Sequence, residues 1–236
     1  MFYYGFDLTY LIMVMPFVIL SIWASSNVNS TFKRYSKVYS RRGLTGAQAA
    51  EQVLKNNGVY NVRIERISGN LTDHFDPKDN VIRLSDNVYG NTSAAAIGVA
   101  CHEAGHAVQY AQDYAPIKLR AAIIPVTNIG SMLAMPLIVL GLVLNFMTEF
   151  SYTFVYIGIG CFGLSLLFQL ITLPVEFNAS HRAVSAISGA GLLDEQELDG
   201  AKKTLRAAAL TYVAAAAVSL MQLLRLILIF GGRRDD

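Results

Sequence analysis

His102-Glu103-Ala104-Gly105-His106 lies between uncharged runs long enough to cross a membrane, and reading it as helix decides how the chain is organised. Two histidines four apart on a helix share a face, separated by about 40° of rotation and about 6 Å of rise. That spacing lets both imidazoles reach one Zn²⁺ while the glutamate between them faces water bound to the metal. Four His and seven Glu in 236 residues make a chance His-Glu-x-x-His a matter of roughly two such chains in a thousand. Cys101 adjoins His102 but points about 100° away around the helix, which makes it a small packing residue. Cys101 and Cys161 have no metal or redox spacing, and two thiols cannot build a disulfide scaffold.

Working outward, the composition is that of a membrane protein. Hydrophobic residues make up 53% and charged ones 15%, with a mean hydropathy of +0.40, too apolar for a soluble domain of this length. A net charge of +2 carries no basic footprint for nucleic acid. Four runs lack any charged side chain: 8–32, 121–148, 150–175 and 207–224, with 226–232 uncharged again beyond Arg225. Each meets the roughly 20 residues that a span needs. The second and third are the most apolar. The first lacks the basic start and cleavage site of a secretory signal, so it reads as a retained anchor. The fourth is alanine-rich (Ala207 to Ala209, Ala214 to Ala217), and its first half also suits a helix packed on a soluble domain.

Lysine and arginine near the spans set the orientation. Lys33, Arg34, Lys37, Arg41 and Arg42 follow the first run, Lys118 and Arg120 precede the second, and Arg182, Lys202, Lys203 and Arg206 lie between the third and fourth. The loop from Asn145 to Tyr152 has none. All the basic clusters share one face if the N-terminus is outside, which puts 30–120 and 176–206 in the cytoplasm. Arg233 and Arg234 would then be a mild violation beyond a fully spanning fourth helix. The expected organisation is an anchor (1–30), a cytoplasmic catalytic region with the zinc helix (31–120), a two-span hairpin (121–175), a cytoplasmic segment (176–206) and a C-terminal helix (207–236).

That topology supplies a third ligand. Catalytic zinc normally takes a His, Glu or Asp from elsewhere in the chain, and the hairpin returns residues after the third span to the side of His102 and His106. Glu176 emerges there at the end of an apolar helix; His181 and His74 compete for the role. Around it, Thr45 is placed to cap a helix ending at Asn57-Gly58, and Tyr60, Val62 and Ile64 alternate with polar residues as a strand does. Leu71–Phe75 and Val81–Ser85 flank the turn Asp76-Pro77-Lys78-Asp79-Asn80 as a hairpin. Asn91, Thr92 or Ser93 then caps the zinc helix. Val81, Ile82, Arg83, Leu84 and Ser85 are expected to form an edge strand able to hold an extended peptide.

With Glu176-Phe177-Asn178-Ala179 after a two-span hairpin, the layout resembles the HtpX and CAAX-prenyl-protease group of membrane zinc endopeptidases. Asp73-His74-Phe75-Asp76-Pro77, Asn80 to Ser85, the zinc helix and Glu176 to Ser180 together resemble, over most of the chain, the bacterial YugP-type neutral zinc metallopeptidases. The resemblance implies an α+β, mainly helical integral membrane protein with three or four spans and a gluzincin-like cytoplasmic domain containing a small sheet. It implies one zinc per chain held by His102, His106 and Glu176, with Glu103 as base, acting on protein or peptide substrates at the cytoplasmic face of a bacterial plasma membrane. The HtpX pattern has Asp four residues after its glutamate ligand, where this chain has Ser180. The group orienting the zinc histidines is therefore left among Asn178, Ser180 and Asp73. His74, Arg182 or Tyr110 is available to stabilise the oxyanion. An intramembrane-cleaving protease is the less suitable alternative, because 94–112 is bounded by polar residues. A zinc-binding scaffold or inactive relative would have no need of Glu103.

Overall fold

The computed structural model describes residues 8–144 and 151–231. The Asn145–Tyr152 loop falls mostly outside these bounds, as do Arg233 and Arg234. The chain is mainly helical with one small mixed sheet, in the order α1 (Leu8–Met13), α2 (Met15–Tyr35), α3 (Gly46–Asn56), β1 (Arg63–Ile67), β2 (His74–Asp76), β3 (Val81–Ser85), α4 (Asp86–Tyr89), α5 (Ala94–Ala111), α6 (Ala115–Leu144), α7 (Ser151–Gly189) and α8 (Glu195–Gly231). Residues 24–118 and 174–211 form one compact unit; 8–23, 119–173 and 212–231 belong to a second.

The second unit is built from the apolar runs. Among the described residues, α6, α7 and α8 are long and apolar enough to cross a membrane. The N-terminal run 8–32 divides between α1 and α2, and neither joins that set. Ile138, Val155, Leu226 and Phe230 pack together here, and Ser131 Oγ meets Ser165 Oγ at 2.7 Å. Arg225 stacks over the Tyr10 ring at 5.5 Å.

The first unit carries the site. Thr45 begins α3 with a reciprocal capping box: its hydroxyl accepts from the Gln48 N–H, and the Gln48 side chain accepts from the Thr45 N–H. Of the three capping candidates ahead of α5, Ser93 does the work, accepting from the Ala96 N–H at 3.3 Å. α5 is lined with small residues because it is buried on nearly every side: Ala94, Ala95, Ala96, Ala100, Ala104 and Ala107 are all at most 1% exposed. It packs on α3, the sheet and α4, in a core with Val53, Leu54, Ile82, Leu84, Ile187 and Leu192. Gly105 has a specific reason to lack a side chain. A Cβ there would come 2.8 Å from the Ala179 carbonyl oxygen of α7, so its absence lets the two helices close on each other at the level of Glu176.

Strand order is β1-β3-β2, with β1 parallel and β2 antiparallel to β3. This corrects the expectation for Val81, Ile82, Arg83, Leu84 and Ser85: they form the central strand, not an edge. The sequence around them carries the hairpin to β2 but no local signal for the parallel pairing Arg63↔Val81 through Ile67↔Ser85, which occupies their other side. That pairing also moves β1 towards the C-terminus of the expected strand, to Arg63–Ile67. Arg83 closes the hairpin, donating to Asp76 Oδ2 and Asp79 Oδ2, each at 2.6 Å. The guanidinium holds the Asp76 carboxyl below its usual range.

Candidate metal centre

One face of α5 presents His102 and His106, and the stretch of α7 just past Pro174 presents Glu176. Among the described residues these three form the group able to share an ion, with ligand atoms all within 4.8 Å of one another. Glu176 Oε2 lies 3.3 Å from His102 Nε2 and 3.5 Å from His106 Nε2. Tetrahedral zinc with bonds of about 2.0–2.1 Å places its ligand atoms about 3.3 Å apart, so the donors fit in both type and spacing. The two rings stand nearly perpendicular, 4.7 Å between centroids. Glu176 is 2% exposed. Burial alone would raise its pKa, but hydrogen bonds with His102 and His106 outweigh that and hold the carboxyl far below its usual range. Burial pulls the other way on His106, which nonetheless titrates above an ordinary imidazole because of Glu176, Glu103 and Gln109.

Hydrogen-bond logic fixes which nitrogen of His106 is free. Arg182 can only donate, and its Nε meets Asn178 Oδ1 at 2.7 Å, so the Asn178 oxygen faces it. The Gln109 amide nitrogen then donates to that same oxygen at 3.0 Å and to the Val175 carbonyl at 2.9 Å. Gln109 Oε1 is left as the acceptor for His106 Nδ1 at 2.9 Å. Nδ1 therefore carries a proton, so the nitrogen His106 turns towards Glu176, and could offer to a metal in exchange for the proton it shares with that carboxylate, is Nε2. His102 is held through the same ring atom, with Ser180 Oγ 3.1 Å from its Nδ1. Arg182 is anchored in turn by Gln112 Oε1 at 2.6 Å and stacks on Tyr114.

Glu103 is 8% exposed and lies beside these rings in sequence and on the same helix. Its Oε2 accepts from the Phe75 N–H of β2 at 3.0 Å. This pins one carboxylate oxygen, Oε2, to the backbone of β2.

The other sequence candidates are placed differently. Asp73 accepts from the Ser85 N–H at 2.7 Å and from its hydroxyl, so it braces the β3–α4 junction and orients no zinc histidine. Burial raises its pKa despite those bonds. His74 is exposed, its Nδ1 against the Thr72 carbonyl oxygen, and neither it nor exposed His181 joins the donor group. Tyr110 packs edge-on against Phe75. Asn178 and Arg182 act through Gln109. Gln109 is the member of this network that spacing does not reveal: it is fully buried one turn after His106, where a buried amide has to find partners. Cys101 is fully buried and its thiol pKa pushed up, in keeping with packing.

A buried and a half-buried imidazole, one buried carboxylate and a second carboxylate on α5 define a candidate hydrolytic metal centre. The chain matches, over residues 10–231, the model of the family described as "Putative neutral zinc metallopeptidase", and it belongs to that family. It is 48% identical, over 92% of its own length and 94% of the relative's, to a Bacillus subtilis protein named "Putative membrane protease YugP". No solved structure matches it.

Proposed function

We propose that the protein is a membrane-bound zinc endopeptidase that cleaves protein or peptide substrates at the cytoplasmic face of the membrane. In this reading His102, His106 and Glu176 hold one zinc ion, and Glu103 is the general base. The observation that carries it is the junction of three ligand atoms at ion-sharing distance with a carboxylate fixed through one oxygen. Zinc in such a donor set supplies an acidified water and polarises a carbonyl.

The chain's own residues do the rest. Gln109 and Ser180 each hold one imidazole through its Nδ1, turning Nε2 towards Glu176. Phe75 orients Glu103, whose Oε1 takes the proton of the attacking water and later gives it to the departing amine. Buried α5 and α7 side chains keep bulk water from these groups. A substrate in extended form would lie beside β2, the edge strand that meets Glu103. The membrane assignment rests on α6, α7 and α8, and the cytoplasmic orientation on the one-sided lysine and arginine pattern.

The test is Glu103→Gln. It should keep one zinc per chain and lose about 10²- to 10⁴-fold in cleavage of a casein substrate. Undiminished cleavage would remove Glu103 as base. Loss of the metal would show that the variant disturbs the site rather than the chemistry.

A further inference from the structure

In the unit that holds the metal site, a cavity of about 380 Å³ opens between α2 and α8, within the range of small-ligand clefts. Its walls are Asn27, Thr31, Arg34 and Tyr35 from α2, and Lys203, Arg206, Ala207 and Leu210 from α8. Among the described residues three cations line it and no acid does. Asp199 neutralises Lys203 at 2.6 Å, which leaves the charges of Arg34 and Arg206. Tyr35 sits between two of the cations, with Arg34 5.6 Å and Lys203 5.9 Å from its ring centre.

The position of this groove in the sequence identifies its ligand. On α2 the uncharged run 8–32 ends within the groove: Asn27 and Thr31 belong to the run and Arg34 lies just past it. On α8 the uncharged run 207–224 begins there, with Arg206 before it and Ala207 and Leu210 inside it. On α8 a long apolar run thus begins at this cavity directly after Arg206, while on α2 a polar, uncharged stretch ends there at Arg34 with Tyr35 beside it, as at the headgroup level of a bilayer. A ligand for this place has an anionic head among the guanidinium groups, hydrogen-bond acceptors for Asn27 and Thr31, and an apolar continuation along Ala207 and Leu210. Basic pockets between membrane helices on the cytoplasmic side meet that description with lipid phosphates. A choline or ethanolamine group would add a cation to a groove that already carries two unmatched ones. We propose that the α2–α8 groove binds the headgroup of an anionic glycerophospholipid of the phosphatidylglycerol type. This rests on α8 entering the membrane and not on the peptidase assignment.

The test uses the full chain, purified in neutral detergent and incubated with equal amounts of phosphatidylglycerol and phosphatidylcholine of matched acyl chains. Retained lipid is measured by mass spectrometry after removal of free lipid. The wild type should retain phosphatidylglycerol selectively. Each surface cation contributes about fivefold, so R34Q/R206Q should lower that selectivity roughly 25-fold. K33Q/K37Q removes the same charge at the same end of α2 outside the groove, and should change it less than about twofold. A large excess of inorganic phosphate should leave the bound lipid in place. Equal retention of the two lipids by the wild type, an equal loss in K33Q/K37Q, or displacement by phosphate would overturn the proposal. Zinc content and Glu103-dependent cleavage are read on the same preparations. Lipid selectivity lost with both intact counts against the groove alone, and their absence alongside retained selectivity counts against the peptidase alone.

Discussion

At the scale of single residues, the site depends on side chains that never touch an ion. Gln109 is the clearest case, because its amide satisfies three partners at once: His106, Val175 and Asn178. Gln109→Ala would leave His106 free to rotate or change tautomer and remove the amide that ties it to Val175 and Asn178 of α7. Zinc affinity, measured by competition with a chromogenic chelator, should fall about 10- to 100-fold. An unchanged affinity would mean that His106 is oriented by something else. The sequence made the ligand pattern legible through spacing alone, since His102 and His106 must share a helical face whatever the fold. It did not make Gln109 legible, because a glutamine in an apolar helix looks the same whether it orients a histidine or only finds a backbone carbonyl. Asp73 failed for the converse reason. Lying next to His74 in the chain says nothing about which backbone N–H its carboxylate will find, and it finds Ser85.

At the scale of elements, two approaches set the geometry: α5 on α7, and β2 on α5. The first depends on Gly105, where 2.8 Å separates an added Cβ from the Ala179 carbonyl. Gly105→Ala should destabilise the fold by about 1–3 kcal/mol and weaken zinc binding with it, since α7 would be pushed back one turn from Glu176. Chemical denaturation of the wild type and variant measures the first effect, and equal midpoints would argue that the helices are not in contact there. The glycine inside the motif was visible as a letter but not as a contact, because its partner lies 74 positions away, at Ala179, on a different helix. The sheet teaches the same lesson. Hairpin turns are local, and the antiparallel pair β2–β3 could be read from Asp76 to Asn80. The parallel partner of β3 is brought by chain folding, and it converted an expected edge into a centre.

At the scale of the whole molecule, the chain joins a metal-site unit to long apolar helices, with α7 and α8 each contributing residues to both units. The apolar runs were legible from hydropathy alone for α6, α7 and α8. The run 8–32 was less so, because Ser25 to Ser30 make its second half polar. Reporter fusions test the proposed orientation. Fusions after residues 113 and 190 should both report the cytoplasm, and a fusion within 145–150 should report the outside. Opposite locations for 113 and 190 would break the hairpin reading.

The central claim is that a carboxylate from α7 completes a metal site begun by two histidines on α5. Metal analysis of the purified Glu176→Ala chain tests it most directly. The account predicts about one zinc per wild-type chain and less than about a tenth of that in the variant; a full equivalent of tightly held zinc without Glu176 would contradict it.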